Sequence, residues 1–399
     1  MQKKSNFIEL FFTFLAAFQL TDTVLLEYLL ESGREGISGV ISQFFLYSST
    51  LFAIASIFFD KRKWKMVIVV IAVLYLLYKY QYSIAPASVL KEFAPDFLIH
   101  GIGGFLVGYA IKDYRRLVKT AAFFSLVYGI PLIIEPITHS FLHKQPQITG
   151  YMLTPLVIWM LLEYFTNVKR PKIYLIVGIL LSLSIVLFAS RGCALSILLA
   201  VFILTYYDNK KKGKEYSALI KKYLKVFITI TILLSATLAY FSTHKYEGSD
   251  GSVIAKMMSG QVDDNNGRFD YWEIGMELAK EYAIKGMGMG VDRDFINPMT
   301  HTFVHNVILE VFLNFGLPIG LFIFFCYWTP IVKLLRSDAD VDKKTIVACM
   351  CAMVWIRLLF SDSYLKNMII LMIVYGVAMG CLLSIRKKKK VHGLIENKQ

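Results

Sequence analysis

Charge is scarce in this chain. Asp, Glu, Lys and Arg make up 18% of its 399 residues, and the 29 acidic side chains are outnumbered by 43 basic ones. A soluble domain carries about a quarter of its residues as charges. A chain that is 56% hydrophobic, with a mean hydropathy of +0.55, falls outside that class. Cysteine is sparse too. All five (Cys193, Cys326, Cys349, Cys351 and Cys381) sit inside apolar runs, and none has zinc-like or C-x-x-C redox spacing. They read as small apolar core residues. No internal repeat with a period of about 20–50 residues is visible.

What is present is a succession of apolar runs of the length that crosses about 30 Å of hydrocarbon, the fourth, eighth and eleventh being near the lower limit. They predict an all-α integral membrane protein with about 12 spans: 7–30, 37–59, 65–82, 97–111, 117–134, 151–168, 172–190, 193–207, 223–241, 303–328, 345–360 and 368–385. The basic start Q-K-K-S-N precedes an apolar run without a small-residue cleavage site, as expected of a retained first span. The chain then divides into spans one to nine (1–241), a large helical outer loop (242–302), spans ten to twelve (303–385) and a basic tail (386–399).

Charge placement supports this reading. With both termini cytoplasmic, segments 3–4, 61–65, 112–119, 169–172, 210–225, 333–344 and 386–398 lie inside and hold 30 of the 43 Lys and Arg residues. That bias is the positive-inside pattern. The net charge of +14 then faces anionic membrane lipid and calls for no nucleic acid. It also places 242–302 outside. There D-D-N-N-G (263–267) forms a cap-and-turn cluster ahead of a helix with Phe269, Trp272, Met276, Ala279 and Ala283 on one face. Such a helix is expected to lie flat on the membrane.

Candidate functional residues gather around this outer segment. Arg191, in F-A-S-R-G-C, is an outer-face cation in a chain that sends its positive charge inward; the plainer account is snorkelling to head groups. Arg268 stands in the first turn of the outer helix, against the helix dipole. Free N–H groups and a guanidinium together suit a phosphate, although a solvated surface arginine would look the same. His305 opens the tenth span, with Asn306 beside it and Glu310 one turn on. An imidazole there can serve as general base, or simply bond to loop backbone. His301 and His305 have i, i+4 spacing, but no glutamate lies between them and no third ligand is evident, so no metal is expected. Arg357 and Asp362 form a supporting pair, and G-M-G-M-G (286–290) permits close backbone approach. Glu9, Asp22, Glu163 and Glu310 lie within apolar runs, where they would line a cavity or pair with one another.

In order and spacing, S-R-G, then G-R-x-x-x-W, G-x-G-x-G and H-N-x-x-L-E-x-x-x-x-x-G-x-x-x-G across 187–320 resemble the O-antigen polymerase and O-antigen ligase superfamily. The resemblance implies a GT-C-type membrane glycosyltransferase of the bacterial plasma (inner) membrane, with its active site at the periplasmic or extracellular face. The donor would be a glycan on undecaprenyl diphosphate, used without nucleotide sugar, metal or other cofactor and with inversion. Arg191 and Arg268 would bind the diphosphate, and His305 would activate the acceptor hydroxyl. The acceptor is a second lipid-linked repeat unit in a polymerase of O-antigen, capsule or exopolysaccharide, or the lipid A core in a ligase. N-F-G-L-P-I-G after H-N-x-x-L-E leans towards polymerase. A chain-length regulator is a further partner to look for.

A multi-span transporter or flippase is the rival from another class. G-Y-A-I-K-D-Y-R-R (108–116) faintly resembles the loop motif of major facilitator transporters, but it follows the fourth span. The longest loop lies outside, and no half repeat appears.

Overall fold

Runs that are apolar on every side leave the backbone one solution in lipid, the helix, because each N–H and C=O must be paired within the segment. The computed structural model describes residues 2–21, 25, 34–58, 61–138, 146–188, 191–213, 268–297, 299 and 302–396, and the described residues hold helices and no strand. In order these are α1 (Gln2–Gln19), α2 (Glu35–Phe58), α3 (Lys61–Gln81), α4 (Ala87–Ala110, π-helical at Pro95–His100), α5 (Tyr114–Thr138), α6 (Pro146–Thr166) and α7 (Lys172–Phe188). They continue as α8 (Arg191–Lys211), α9 (Arg268–Glu281), α10 (Asp292–Ile296), α11 (Val307–Arg336), α12 (Val341–Phe360) and α13 (Met368–Glu396). The predicted ninth span (223–241), the 263–267 cluster, Asp22 and His301 lie outside the described residues.

Among the described helices, α2, α3, α4, α5, α8, α11 and α13 are long and apolar enough to cross a membrane, and the chain is an all-α multi-pass membrane protein. The apolar stretches of α1 and α7, Glu9–Gln19 and Lys172–Ile185, are shorter. α6 packs on α5, α7, α8 and α12, and 151–163 are buried without a break. A helix apolar all round is stable only when it is covered all round or faces lipid. The outward side chains Leu51, Ile68 and Leu76 take the second option, each more than 60% exposed.

Close approach of backbones holds α4 to α13. A Cβ at Gly104 would lie 2.3 Å from Ile369 O, one at Gly108 2.1 Å from Ile373 O, and one at Gly376 2.5 Å from Phe105 O. Small residues four apart on both helices permit this contact, which is how spanning helices associate when lipid removes the hydrophobic driving force.

The segment that carries α9 and α10 is tied to the spanning helices by a break in α11. Gly316 has φ 75 and ψ 164, outside the helical region, and Pro318 follows. The break frees Leu317 N, which donates to Ala283 O at 2.7 Å, and Leu313 O, which accepts from Met287 N at 2.6 Å. Pro318 has no N–H to offer Asn314 O, and Gln81 Nε2, from the end of α3, fills that place at 2.9 Å. Gln81 Oε1 accepts from Met289 N at 2.6 Å. Gly286 also needs a positive φ, 74°, and a Cβ there would strike Gly316 N at 2.6 Å.

The predicted face of α9 divides between an exposed side and a packed one. Phe269 and Met276 are 59% and 53% exposed, whereas Gly275 is buried and Tyr271, Trp272, Leu278, Ala279 and Tyr282 pack towards Val304 and Leu313. Gly275 reads as neutral in an apolar pattern, yet its missing side chain lets α9 settle on Val304 and Leu309.

Gly108→Leu is expected to destabilise the fold by about 1–3 kcal/mol or more through overpacking. The lipid-facing change Leu76→Ile should leave it unchanged. Thermal unfolding of the purified protein in detergent checks both, and equal melting points would remove the α4–α13 contact as a source of stability.

Candidate functional site

The turn between α12 and α13, S-D-S-Y at 361–364, gathers the candidate residues. Arg268, at the start of α9, donates from Nη1 to Phe360 O at 2.8 Å. His305 Nδ1 lies 3.1 Å from the next carbonyl, Ser361 O. A carbonyl only accepts, so this contact needs the proton on Nδ1 and leaves the lone pair on Nε2. The backbone bond expected of an interfacial histidine is therefore present, and it selects the tautomer that a general base requires.

His305 reaches this position with φ 55, an unusual conformation for a residue with a side chain. Such geometry costs about 1–3 kcal/mol and persists only where its surroundings enforce it. Asn306 enforces it from one side by capping α11, its Oδ1 accepting from Ile308 N at 3.0 Å and Leu309 N at 3.2 Å. The Phe303 ring, 4.3 Å from the imidazole between centroids, packs on another side.

Three further groups hold the turn. Arg357 grips Asp362 Oδ2 through Nε at 2.7 Å and Nη2 at 2.6 Å. Tyr151 OH donates to Ser361 Oγ at 2.6 Å. Glu310, 1% exposed, accepts from the Ser363 hydroxyl and from Tyr364 N at 3.1 Å. Gly192 abuts the same tyrosine: a Cβ there would lie 2.3 Å from Tyr151 OH. This contact brings the N-terminus of α8, where Arg191 is the first residue, to the edge of the site.

Electrostatics follow from this crowding. Burial pulls the His305 pKa below 6.5, Arg268 and Lys366 push the same way, and the Ser361 carbonyl and Asp362 oppose them. Burial also lowers the Arg268 pKa, against Tyr151 and Cys193. A guanidinium stays charged regardless. Burial pushes the Asp292 carboxyl up to about 6 against the pull of Arg293. Among the described residues no three His, Cys, Asp or Glu side chains cluster in a way that could hold a metal.

The structure thus brings Arg268, His305, Asn306, Glu310, Arg357 and Asp362 to one turn, with the backbone of Arg191 at its edge. The buried acids do not pair as expected. Glu163 lies 3.6 Å from Arg115, while Glu310 bonds to the 363–364 backbone and hydroxyl. Sequence reasoning missed Tyr151, Ser361, Ser363 and Lys366. Only S-D-S-Y carried a signal, as a polar break between two apolar runs. Tyr151 sits in a fully buried stretch, and nothing local marks it.

Residues 176–325 match a family model described as O-antigen ligase. The matched stretch contains Arg191, Arg268 and His305 and ends within α11. It supports placement in the O-antigen ligase and polymerase superfamily, a group of membrane glycosyltransferase-like enzymes. No curated protein matches the chain.

Gly192→Ala is expected to destabilise the protein through its clash with the Tyr151 hydroxyl, and Tyr151→Phe to relieve part of that loss. Coupling of about 0.5–3 kcal/mol between the two is the size seen for residues in contact. Thermal unfolding of both single variants and the double variant measures it; strict additivity would mean that α8 does not meet Tyr151.

Proposed function

We propose that this chain, with its O-antigen ligase domain, is a polymerase of lipid-linked oligosaccharide repeat units. In this reading it transfers a glycan from undecaprenyl diphosphate to a sugar hydroxyl at the outer face of the plasma membrane. The observation that carries the reading is the pair of neighbouring carbonyls, Phe360 and Ser361, which meet a guanidinium and the Nδ1 of an imidazole side by side.

The chemistry would be a single displacement. As the acceptor hydroxyl attacks the anomeric carbon, its proton passes to His305 Nε2. The bond from that carbon to the diphosphate oxygen breaks, and the electron pair leaves on the diphosphate. Arg268, with Arg191 at the α8 N-terminus, would stabilise the charge that develops there. One displacement inverts the anomeric centre. Neither arginine needs a metal ion beside it to meet a diphosphate bidentately. The basic side chains on alternate segments support an outer location for this site.

A ligase acting on a lipid A core is the second reading, favoured by the description of the matched family. It uses the same donor chemistry and differs in the acceptor.

His305→Ala is expected to lower transfer by about 10²–10⁴-fold, the usual contribution of a general base. Arg268→Ala and Arg191→Ala should lower it by about 10²–10³-fold, as for lost charge stabilisation. In a null strain complemented at matched expression, loss of the surface-glycan ladder with single repeat units remaining identifies a polymerase. Polymer stranded on the lipid carrier identifies a ligase. A normal ladder in all three variants would remove the site.

The base must be neutral, so activity should fall as pH drops through the His305 pKa. Burial, Arg268 and Lys366 hold that pKa below 6.5, against Asp362 and the Ser361 carbonyl. The acid limb of the pH–rate profile should therefore have its midpoint below that value. A midpoint above it would exclude His305, in this environment, as the base.

A further inference from the structure

Glu310 is a carboxyl group placed where lipid-spanning helices rarely keep one, and it is 1% exposed. An apolar side chain of similar volume would often be at least as stabilising in a buried position. A buried ionisable group in a spanning helix is retained for a task, so its partners are informative. Both its oxygens point to one place. Oε1 accepts from the Ser363 hydroxyl and Oε2 from Tyr364 N at 3.1 Å. Ser363 follows Ser361, whose carbonyl meets His305, by two residues, and Phe360, whose carbonyl meets Arg268, by three.

The other groups around Ser363 reinforce the same turn. Arg293 Nη2 lies 3.5 Å from Ser363 Oγ, and its guanidinium lies over the rings of Phe93 and Phe303 at 4.2 and 5.7 Å. Phe303 is the ring that packs on His305. Asn367 Nδ2 donates to Ser363 O at 2.9 Å. Ser363 itself is fully buried.

We infer that Glu310 is a positioning residue. From α11 it holds the 361–364 turn at the depth that lets the Ser361 and Phe360 carbonyls meet His305 and Arg268 together. His305 lies just ahead of α11 and Glu310 in its first turn, so base and brace belong to one stretch of chain and grip the turn at two points. Without the brace, the turn that joins α12 to α13 loses its contact with α11 at Ser363. The imidazole then loses the carbonyl that fixes its tautomer. A displacement of about 1 Å in such a group can lower a rate by about 10²-fold.

The inference rests on the glycosyl-transfer reading for its effect on activity, but not for its effect on His305. The test uses the full chain carrying Glu310→Ala, Glu310→Gln or Ser363→Ala. Surface-glycan ladders are compared at matched expression in the complemented null strain. On purified protein, carbethoxylation of His305 by diethyl pyrocarbonate is followed by mass spectrometry, with thermal unfolding as the control for folding. Glu310→Ala and Ser363→Ala are expected to reduce polymer about 10–100-fold and to change the His305 modification rate at least about threefold. Glu310→Gln keeps the shape and one acceptor oxygen, so it should restore most of both. Ser363→Ala removes a single hydroxyl and keeps the test decisive if Glu310→Ala fails to fold.

Folded Glu310→Ala and Ser363→Ala proteins with wild-type polymer and wild-type His305 reactivity would overturn the inference. A changed His305 reactivity in these variants, alongside a normal ladder in His305→Ala, would leave the brace standing and remove the transfer reading instead.

Discussion

The arrangement depends on a constraint that operates wherever a helix breaks inside a membrane: the backbone groups released by the break must find partners. α11 breaks at Gly316, and the groups it releases are taken up by the turn that follows α9 and by the end of α3. Met287 bonds to Leu313 O, Ala283 to Leu317 N, and Gln81 to Asn314 O, the carbonyl that Pro318 cannot serve. The glycine-rich turn is therefore a splice in the α11 ladder, and it anchors α9 against α11. Arg268 enters the site from that anchored helix.

The second level of organisation is a short turn that carries more contacts than its length implies. Two successive carbonyls receive Arg268 and His305, Asp362 is held by Arg357, Ser361 by Tyr151, and Ser363 by Glu310. These five partners come from four separate parts of the chain, with His305 and Glu310 sharing one. A turn fixed by α6, α9, α11 and α12 can keep two cationic or ionisable groups at a set separation, as the proposed transfer would require. The positive φ at His305 is the strain that this fixation sustains.

Much of this was legible beforehand, for reasons specific to each residue. Runs such as 368–385 and 37–59 announce helices because lipid allows no other single-segment solution. Alternating lysine and arginine content is the basis for an expected orientation, because anionic inner leaflets attract cations. Arg268 and His305 stood out because each violates a local preference, one facing a helix dipole and the other placing an imidazole at a membrane entry. The side of α9 that meets the protein was not legible, because periodicity counts Phe269 and Met276 as apolar but gives no weight to Gly275, whose small size decides which side can approach α11. The acids at 9, 163 and 310 shared a description but not a location.

The sequence by itself determined that the chain is helical and multi-spanning, and it marked Arg268 and His305 as candidates for reactive chemistry. These properties follow from local composition and from the solvent the chain meets. Only the tertiary structure decided that Tyr151, Ser361, Ser363 and Glu310 converge beneath His305 and Arg268. Their convergence depends on backbone contacts between residues far apart in the chain, at Gly286 and Gly316 and at Gly104 and Ile369. Such contacts are set by the absence of side chains, and one sequence position cannot reveal what stands opposite it.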